Sequence, residues 1–425
     1  MTEQAKVPAI RFAGFTDPWE QRKFGDCFEF LKSNTLSRAG LNGENGTARN
    51  VHYGDILIKF GDCLDGERSD LPFITDDTVL PKYAGSILRE GDVIFADTAE
   101  DETAGKSVEL RKLPKEPTIS GLHTIPARPR FPFGTGYLGH YLNSDAYHRQ
   151  LLPLMQGIKV ISVSKAALQD TQVRFPGLSE QSAIGAALNE IDSLITLHQR
   201  KYDKLVIFKK SMLEKMVPKD GESVPEIRFA GFTDPWEQRK LGDVASSFDY
   251  GLNAAATEYD GQNKYLRITD IDDETHEFSK SDLTTPLADL AMSADYLLKE
   301  SDLLFARTGA SVGKTYLYRQ FDGMVYFAGF LIRARIGEGA DPEFAYQATL
   351  TDAYKKYVAI TSQRSGQPGV NAQEYADYQL MLPSKTEQQQ IGMTLRSLDD
   401  LITLHQRKLE LLQNIKKSLL DKMFV

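Results

Sequence analysis

The feature that most constrains the fold is an internal duplication. The segment Val7–Lys23 recurs as Val224–Lys240 with 16 of 17 residues identical. A second segment, Leu194–Lys201, recurs as Leu401–Lys408 with all eight residues identical. The two offsets, 217 and 207 residues, are far longer than one unit of a solenoid. The chain therefore contains one module, a domain followed by a helix, in two copies.

Weaker similarity continues between the matched ends. Three further pairs of segments resemble each other: Leu88–Thr98 and Leu298–Thr308, Gly105–Ser107 and Gly313–Thr315, Ser144–Tyr147 and Thr351–Tyr354. The frames of the modules are alike, while the residues between them differ freely. This pattern favours two readers of different targets on one scaffold, or an exchange of modules by recombination. The alternative is duplication followed by drift.

Composition limits the class of protein. A chain of 425 residues exceeds one ordinary domain, and 41% hydrophobic with 26% charged residues is typical of globular protein. No apolar run is long enough to cross a bilayer, and the first residues lack the features of a signal peptide. Two cysteines are too few for a disulfide framework or a cysteine-rich zinc site. We therefore expect a cytoplasmic protein without a membrane partner.

Two long helices are predicted, at 179–217 and 386–425. Ser179 and Thr386 are suitable N-caps, and apolar residues then recur at alternating spacings of four and three, as in a coiled coil. His198 and Lys209 interrupt the first series where His405 and Lys416 interrupt the second. Matching seams favour pairing of the two helices over two independent surface helices. The predicted pairing residues are Ile184, Leu188, Ile191, Ile195, His198 and Leu205 in one helix, and Ile391, Leu395, Leu398, Ile402, His405 and Leu412 in the other.

The seam histidines do not indicate a metal site. Neither His198 nor His405 has a second metal-binding side chain three or four residues later in its helix. We interpret both as polar residues that set the register of pairing. No metal is predicted.

The rest of each module mixes short β-rich runs with glycine-containing turns, and a helix is predicted over Pro342–Val358. Residues 306–315 are similar to a phosphate-binding loop, but Gly309 and Gly313 are separated by three residues, where the motif needs four. We found no nuclease, methyltransferase or Ser/His/Asp signature. No catalytic residue is predicted.

Basic segments occur at the same place in both modules. Lys106–Arg130 holds six basic and two acidic residues, and Arg307–Arg335 holds five and one, so each carries a net charge of +4. Later polar residues are of the types that pair with purine edges. The alternative is an ordinary solvated sheet face. The predicted DNA-binding residues are Lys106, Arg111, Lys112, His123, Arg128 and Arg130 in the first module, and Arg307, Thr308, Lys314, Arg333, Arg335, Gln363, Arg364, Gln367 and Asn371 in the second.

With these features, the chain resembles the specificity subunit of type I restriction-modification systems over essentially its full length. The resemblance rests on the duplication, on Pro383–Gly392 at the start of the terminal helix, and on Leu298–Thr315 followed by Ala328–Arg333. The first module departs from the family pattern around Gly54–Asp62, whereas Ser120–Ile125 agrees with it.

The resemblance implies an α+β fold with two target recognition domains and two long helices, which pair as an antiparallel coiled coil with pseudo-two-fold symmetry. The implied boundaries are 1–178 and 218–385 for the recognition domains, the second beginning with the repeat 224–240, and 179–217 and 386–425 for the helices. Each domain would read one half of a split site in double-stranded DNA, and the helices would fix the gap.

The resemblance also implies a non-catalytic subunit that holds no cofactor. Two methyltransferase subunits would dock on the helices, and two restriction subunits would join them. S-adenosylmethionine, ATP and Mg²⁺ would then belong to the partner subunits. The competing hypotheses are a coiled-coil scaffold that binds only protein, and an enzyme that modifies DNA alone.

Overall fold

A computed structural model describes residues 7–67, 70–219, 221–273, 275–319 and 322–425. The chain divides into two compact units. The first unit consists of Met1–His198 and Lys408–Val425, and the second of Gln199–Arg407. Each of the two long helices therefore contributes one part to each unit.

The first unit combines many short strands with helices. Its strands are β1 Glu20–Lys23, β2 Phe28–Phe30, β3 Leu41–Asn42, β4 Arg49–Val51, β5 Cys63–Asp65, β6 Phe73–Ile74, β7 Val93–Ala96, β8 Thr98–Ala99, β9 Ser107–Arg111, β10 Thr118–Ser120, β11 Thr124–Pro129, β12 Ile161–Ser162 and β13 Gln172–Phe175. Its helices are α1 Phe24–Cys27, α2 Tyr53–Ile58, α3 Tyr137–Asn143, α4 Asp145–His148, α5 Lys165–Gln169 and the first part of α6 Leu178–Lys215. Short 3₁₀ helices cover Arg38–Gly40, Asp77–Ser86 and Leu152–Leu154.

The second unit repeats this plan with fewer strands. Its strands are β14 Glu237–Lys240, β15 Ala245–Tyr250, β16 Ala256–Glu258, β17 Lys264–Leu266, β18 Thr284–Pro286, β19 Asp302–Ala306, β20 Thr315–Leu317, β21 Val325–Phe327, β22 Leu331–Ile336 and β23 Gln379–Leu382. Its helices are α7 Leu241–Val244, α8 Pro342–Ala348, α9 Asp352–Thr361, α10 Ala372–Ala376, the second part of α6 and the first part of α11 Lys385–Met423. The second part of α11 belongs to the first unit. Short 3₁₀ helices cover Ile268–Asp270, Ala294–Tyr296 and Gly309–Ser311.

The central sheets of the two units share four strands in the same order, and the first sheet has β5 as an additional edge strand. The order is β2-β11-β7-β9-β5 in the first unit and β15-β22-β19-β20 in the second. Strand β7 pairs antiparallel with β9 and β11, as β19 does with β20 and β22. The central strands are buried on both faces, which explains their continuous runs of apolar residues. One side of each sheet shares a hydrophobic core with the long helices.

The helix predicted over Pro342–Val358 was wrong as a single element. The structure has two helices, α8 and α9, separated by Thr349–Thr351. The hydroxyl of Thr351 accepts a hydrogen bond from the backbone N–H of Tyr354 and so caps α9. A periodic apolar pattern continues through this break, so periodicity alone does not reveal it.

The repeated segment holds the long helix by the same ion pair in each unit. The guanidinium of Arg11 binds both oxygens of Glu180 at 2.6 and 2.7 Å, and Arg228 binds Glu387 at 2.7 and 2.8 Å. The glutamate side chains are only 2% and 0% exposed. A buried carboxylate needs such a partner, which gives a physical reason why the repeated segment is so similar in the two copies.

The long helices run antiparallel within each unit. In the first unit, Ile184 and Leu188 of α6 share a core with Met423 of α11, while Asp192 binds Lys416 at 2.7 Å. Later positions of α6 thus face earlier positions of α11. In the second unit, Lys209 binds Asp399 at 2.6 Å, and Leu213 shares a core with Ile391 and Leu395. The predicted α+β fold with two long antiparallel helices is confirmed.

None of the positions predicted to pair is exposed. Ile184, Leu188, Ile391 and Leu395 are fully buried, and the remaining predicted positions are partly buried. Their exact partners stay a prediction.

Candidate nucleic-acid interface

In the second unit, one end of the central sheet carries a polar surface made of two segments that are distant in the sequence. The first is the turn between β19 and β20, and the second is the loop between α9 and α10. The backbone N–H of Val370 donates to the carbonyl of Arg307 at 2.9 Å, and that of Gly309 donates to Pro368 at 3.0 Å. These bonds fix the two segments together. We call this the 307–371 surface; it contains the predicted residues Arg307, Thr308, Gln363, Arg364, Gln367 and Asn371.

Arg307 is the residue of this surface best placed to contact a ligand. Its guanidinium lies over the ring of Tyr250, 5.0 Å from the centroid, and has no ion pair among the residues that the structure describes. Next to it, Phe330 is exposed, and the backbone N–H of Arg307 donates to the Phe330 carbonyl. Unpaired arginine beside aromatic rings suits contact with phosphates and bases.

Other predicted residues of the second unit have partners inside the protein. Arg333 is 5% exposed and binds Asp249 at 2.7 Å, while Arg335 binds Asp302 at 3.0 Å. Both lie on β22, where Arg333 is opposite Leu304 and Arg335 is opposite Asp302. Lys314 forms an ion pair with Asp273. These placements favour structural roles for the three cations.

Two residues of the 307–371 surface also hold the loop itself. Asn371 caps α10 by accepting the backbone N–H of Glu374 at 2.9 Å, and the Glu374 carboxylate accepts from Asn371 in return. Arg364 donates to the carbonyls of Thr361 and Gln363 and binds Glu374. Gln363 and Gln367 are exposed.

In the first unit, the structure places the predicted residues at two opposite ends of the sheet. His123 precedes β11 and Lys106 precedes β9, whereas Arg111, Lys112 and Arg130 lie at the far ends of these strands. Strand β9 has five residues, so its ends are about 13 Å apart. The predicted set is therefore not a single patch.

Two of these predicted cations have fixed internal partners. The ammonium of Lys106 donates to the carbonyls of Leu57 and Phe60 at 3.1 Å, and burial lowers its pKa. Arg128 binds both oxygens of Asp92 at 2.9 and 2.7 Å. The ion pair of Arg128 with Asp92 is equivalent to that of Arg335 with Asp302. Each arginine lies opposite the central strand of its own sheet, β7 or β19, in the same register.

The end of the first sheet that carries His123 corresponds to the 307–371 surface. The backbone N–H of Val163 donates to the backbone carbonyl of Asp97 at 2.8 Å, as that of Val370 does to the backbone carbonyl of Arg307. Asp97 therefore occupies the position of Arg307, and it lies 3.4 Å from the ring nitrogen of His123. The two units present opposite charges at equivalent positions.

A hairpin of residues 156–162 completes this end of the first unit. Gln156 and Ser162 exchange backbone hydrogen bonds at 3.0 and 2.8 Å, and Ile158 between them is 98% exposed. The hairpin lies where the second unit has the loop with Gln363 and Gln367. We call His123, Asp97, Thr98 and residues 156–162 the 97–162 surface.

A cluster of metal-ligand types lies elsewhere in the first unit. Asp62, His140 and Asp192 bring possible ligand atoms within 4.8 Å of one another. The ammonium of Lys416, however, lies 2.7 Å from both carboxylates and occupies the position that a cation would take. Burial alone would raise the pKa of Asp62, but the hydrogen bond from His140 and the charge of Lys416 outweigh burial and lower the pKa to about 2. The cluster is best explained as an ion-pair network that holds the helices.

Sequence reasoning missed these ion pairs between the helices. The signal was present, because lysine interrupts the apolar seam at Lys209 and Lys416, and aspartate recurs at Asp192 and Asp399 just before the identical helix segments. Each lysine binds the aspartate of the other helix. A lysine at the same place in both apolar series therefore indicated an ion pair between the helices.

Residues 233–414 match the family model described as type I restriction modification DNA specificity domain. This match bears out the predicted resemblance over this part of the chain. The chain is also similar to the type I restriction enzyme MjaVIII specificity subunit of Methanocaldococcus jannaschii, with 22% identity over 284 residues, and to the MjaX specificity subunit described for the same organism, with 23% over 208 residues. These matches cover 63% and 48% of this chain, and 64% and 48% of the two relatives. The relatives are described as specificity subunits, which agrees with the prediction of a type I specificity subunit and not a stand-alone enzyme.

A solved structure shares the fold. The S subunit of a type I restriction-modification system from M. genitalium superposes with a TM-score of 0.62 at 14% identity, covering 99% of both chains. No helix among the described residues is long and apolar enough to cross a membrane.

Proposed function

We propose that this chain selects DNA sequence for a type I restriction-modification complex, with each unit reading one half of a bipartite site. The observation that carries the proposal is the contrast between Arg307 and Asp97. These residues occupy equivalent positions on equivalent frames, yet they offer a guanidinium and a carboxylate. Arginine favours guanine edges and phosphates, whereas a carboxylate accepts hydrogen bonds from cytosine. Different half-sites follow from this difference.

We further propose that α6 and α11 fix the distance between the half-sites. A helix of 38 residues is about 57 Å long, and paired antiparallel helices resist shortening. The ion pairs of Lys209 with Asp399 and of Lys416 with Asp192 hold the register at two places.

The helices would also dock two methyltransferase subunits. Support comes from exposed apolar residues that occur in equivalent pairs: Leu197 and Leu404 are 46% and 45% exposed, and Phe208 and Ile415 are 52% and 40% exposed. Each unit carries one residue of each pair. Exposed apolar residues on otherwise polar helix faces are typical of protein interfaces. Two restriction subunits would join this core, and S-adenosylmethionine, ATP and Mg²⁺ would belong to the partners.

The reading proposal is tested by methylome sequencing of cells that carry this chain with a methyltransferase of its own system. We expect one bipartite motif with an unread gap. Arg307→Ala should relax base preference in one half only, and His123→Ala in the other half only. Arg239→Ala, which changes an exposed arginine of the repeated segment, is the matched control. Relaxation of both halves by either variant, or methylation without any motif, would contradict the proposal.

The spacing proposal is tested by removing residues 199–205 and 406–412 together, which are one heptad from equivalent positions of each helix. The apolar seam stays in phase, and each helix becomes about 10 Å shorter. We expect both half-sites to be retained while the gap shortens by about three base pairs. An unchanged gap in the methylome would contradict the role of the helices as a spacer.

The docking proposal is tested with Phe208→Glu and Ile415→Glu. Native mass spectrometry of the complex should show loss of one methyltransferase subunit for each variant and of both for the double variant. Ser211→Glu, at an exposed polar position of α6, should retain both. Retention of two subunits by the double variant would exclude this surface.

A further inference from the structure

Two arginines at equivalent positions of the two sheets have different surroundings. In the first unit, Arg111 lies two residues beyond the last residue of β9 that pairs with β7. In the second unit, Arg319 lies two residues beyond the last residue of β20 that pairs with β19. They therefore extend from the same place in the two units. This place is at the opposite end of the sheet from the 97–162 and 307–371 surfaces.

In the second unit, this arginine is neutralised within the protein. The guanidinium of Arg319 is buried and binds Glu277 at 3.0 Å and Glu343 at 3.1 Å. The charge of Arg319 in turn opposes the rise that burial causes in the pKa of Glu277. Arg319 with its two glutamates forms a closed ion-pair cluster.

In the first unit, the equivalent arginine lacks such partners. Arg111 is half-buried and has no ion pair within the part of the chain that the structure describes. Gly136 lies where the second unit has Glu343. Gly136 precedes the segment Ser144–Tyr147 by the same number of residues as Glu343 precedes the matching segment Thr351–Tyr354. The nearby carboxylate of Glu109 already accepts the backbone N–H groups of Gly136 and Gly139, at 2.6 and 2.9 Å. The charge of Arg111 opposes the rise that burial causes in the pKa of Glu109, but this half-buried arginine forms no ion pair among the described residues. Such an arginine is suited to bind an external anion.

Arg111 lines a cleft of about 650 Å³ at the surface of the first unit. Five cations line it against three carboxylates, and two of these carboxylates are already engaged, Asp92 by Arg128 and Glu109 by backbone N–H groups. The basic and aromatic residues of the lining are Arg89, Arg111, Lys112, Arg128, Arg130, Phe131 and Phe133. Of these, Arg111, Lys112 and Arg130 have no ion pair among the described residues. The cleft is therefore positively charged.

We propose that this cleft binds an acidic segment of a partner protein, whose carboxylates take the place that Glu277 and Glu343 occupy in the second unit. The second unit shows that carboxylates satisfy an arginine in this position. Double-stranded DNA is the competing anion. However, the cleft lies at the far end of the sheet from the surface that corresponds to Arg307. In the second unit, moreover, the equivalent Arg319 already has two carboxylate partners, whereas both units need DNA contacts. The site goes beyond the proposed reading of DNA and predicts one such partner segment per chain.

The test uses the full chain at low salt with two fluorescent probes, a hexaglutamate peptide and a duplex of random sequence, followed by fluorescence anisotropy. Arg111→Glu should weaken peptide binding about tenfold or more, because it removes the central cation and adds repulsion. Lys115→Glu makes the same charge change at an exposed position beside the cleft and should weaken it less than about twofold. Duplex binding should be the same in both variants.

A second variant places a carboxylate of the protein itself in the cleft, where the first unit lacks the counterpart of Glu343. Thr135 is exposed, lines the cleft and precedes the glycine that corresponds to Glu343. Thr135→Glu should abolish peptide binding and raise the midpoint of thermal unfolding, while the neutral Thr135→Gln should do neither. Circular dichroism confirms that each variant is folded.

Two results would overturn the proposal. One is peptide binding that does not change in Arg111→Glu and Thr135→Glu. The other is a loss of duplex binding in Arg111→Glu as large as the loss of peptide binding, which would assign the cleft to DNA phosphates. Neither result affects the reading of half-sites by the 97–162 and 307–371 surfaces, which the methylome tests separately.

Discussion

The two units share the contacts that hold the helices and differ in the contacts that face outward. Arg11 and Arg228 bind buried glutamates of the helices in the same way, and one lysine binds an aspartate of the other helix in each unit. In contrast, the position of Arg307 holds Asp97 in the first unit. The comparison teaches that the residues that support the fold are separable from those that select a ligand.

The largest expected effect tests whether the supporting contacts are equivalent. Arg11→Ala and Arg228→Ala each leave a buried carboxylate without its partner. Each should lower the free energy of unfolding by about 3–5 kcal/mol, measured by chemical denaturation. The exposed arginines Arg22 and Arg239 are matched controls, because their alanine variants should change it by less than about 0.5 kcal/mol. Losses that differ strongly between Arg11→Ala and Arg228→Ala would break the comparison.

A smaller and unequal effect is expected for the lysines of the helix seam. Lys416 binds two carboxylates, Asp62 and Asp192. In the described part of the chain, Lys209 binds one, Asp399, which also accepts a hydrogen bond from Gln347. Lys416→Met should therefore cost about 3 kcal/mol of stability and Lys209→Met about 1–2 kcal/mol. Equal costs in denaturation experiments would show that the extra carboxylate contributes nothing.

The acid sensitivity of the first unit should depend on Asp62. Its pKa of about 2 in the folded protein lies below the ordinary aspartate value of 3.8, so the ionised form stabilises the fold. This contribution, about 2 kcal/mol, is fully present above pH 4 and is lost as the pH falls toward 2. The stability difference between the wild type and Asp62→Asn should shrink over this range.

His140→Leu sharpens the pH experiment, because leucine cannot donate a hydrogen bond to Asp62. Removal of the hydrogen bond from His140 should raise the pKa of Asp62, so the same stability loss should begin at higher pH. An unchanged acid titration would show that Lys416 alone lowers this pKa.

The smallest expected effect concerns base preference. Gln367→Ala removes one exposed amide from the 307–371 surface and should reduce discrimination at one base pair by about 1 kcal/mol. Competition binding with duplexes that vary one base pair at a time measures this change. Loss of discrimination in the half-site of the first unit would contradict the separation of the two readers.

The sequence predicted the helices well because their apolar pattern is regular. It also located the lysines at equivalent places in both seams. It did not reveal their partners, since an ion pair between helices depends on the register and direction of packing. The break between α8 and α9 was missed because Thr351 caps a helix without interrupting the apolar pattern.

The charged residues were harder to predict. Arg333 and Arg307 look alike in the sequence, but Arg333 points into the protein toward Asp249. Arg307 instead lies over Tyr250 and has no counter-ion among the described residues. The pairing of strands in the folded protein decides which face of a strand a cation occupies. It also decides whether an acidic residue distant in the sequence forms an ion pair with that cation. Charge counts therefore located the basic segments and could not divide them into supporting and exposed residues.

The ion pairs of the repeated segment have a consequence for how such proteins diversify. Arg11 with Glu180, and Arg228 with Glu387, use only residues that both copies contain. If a domain from another protein replaced the residues between these segments, the ion pairs that hold the helices would still form. New specificities could then arise by transfer of whole domains, without any compensating change in the helices that receive them.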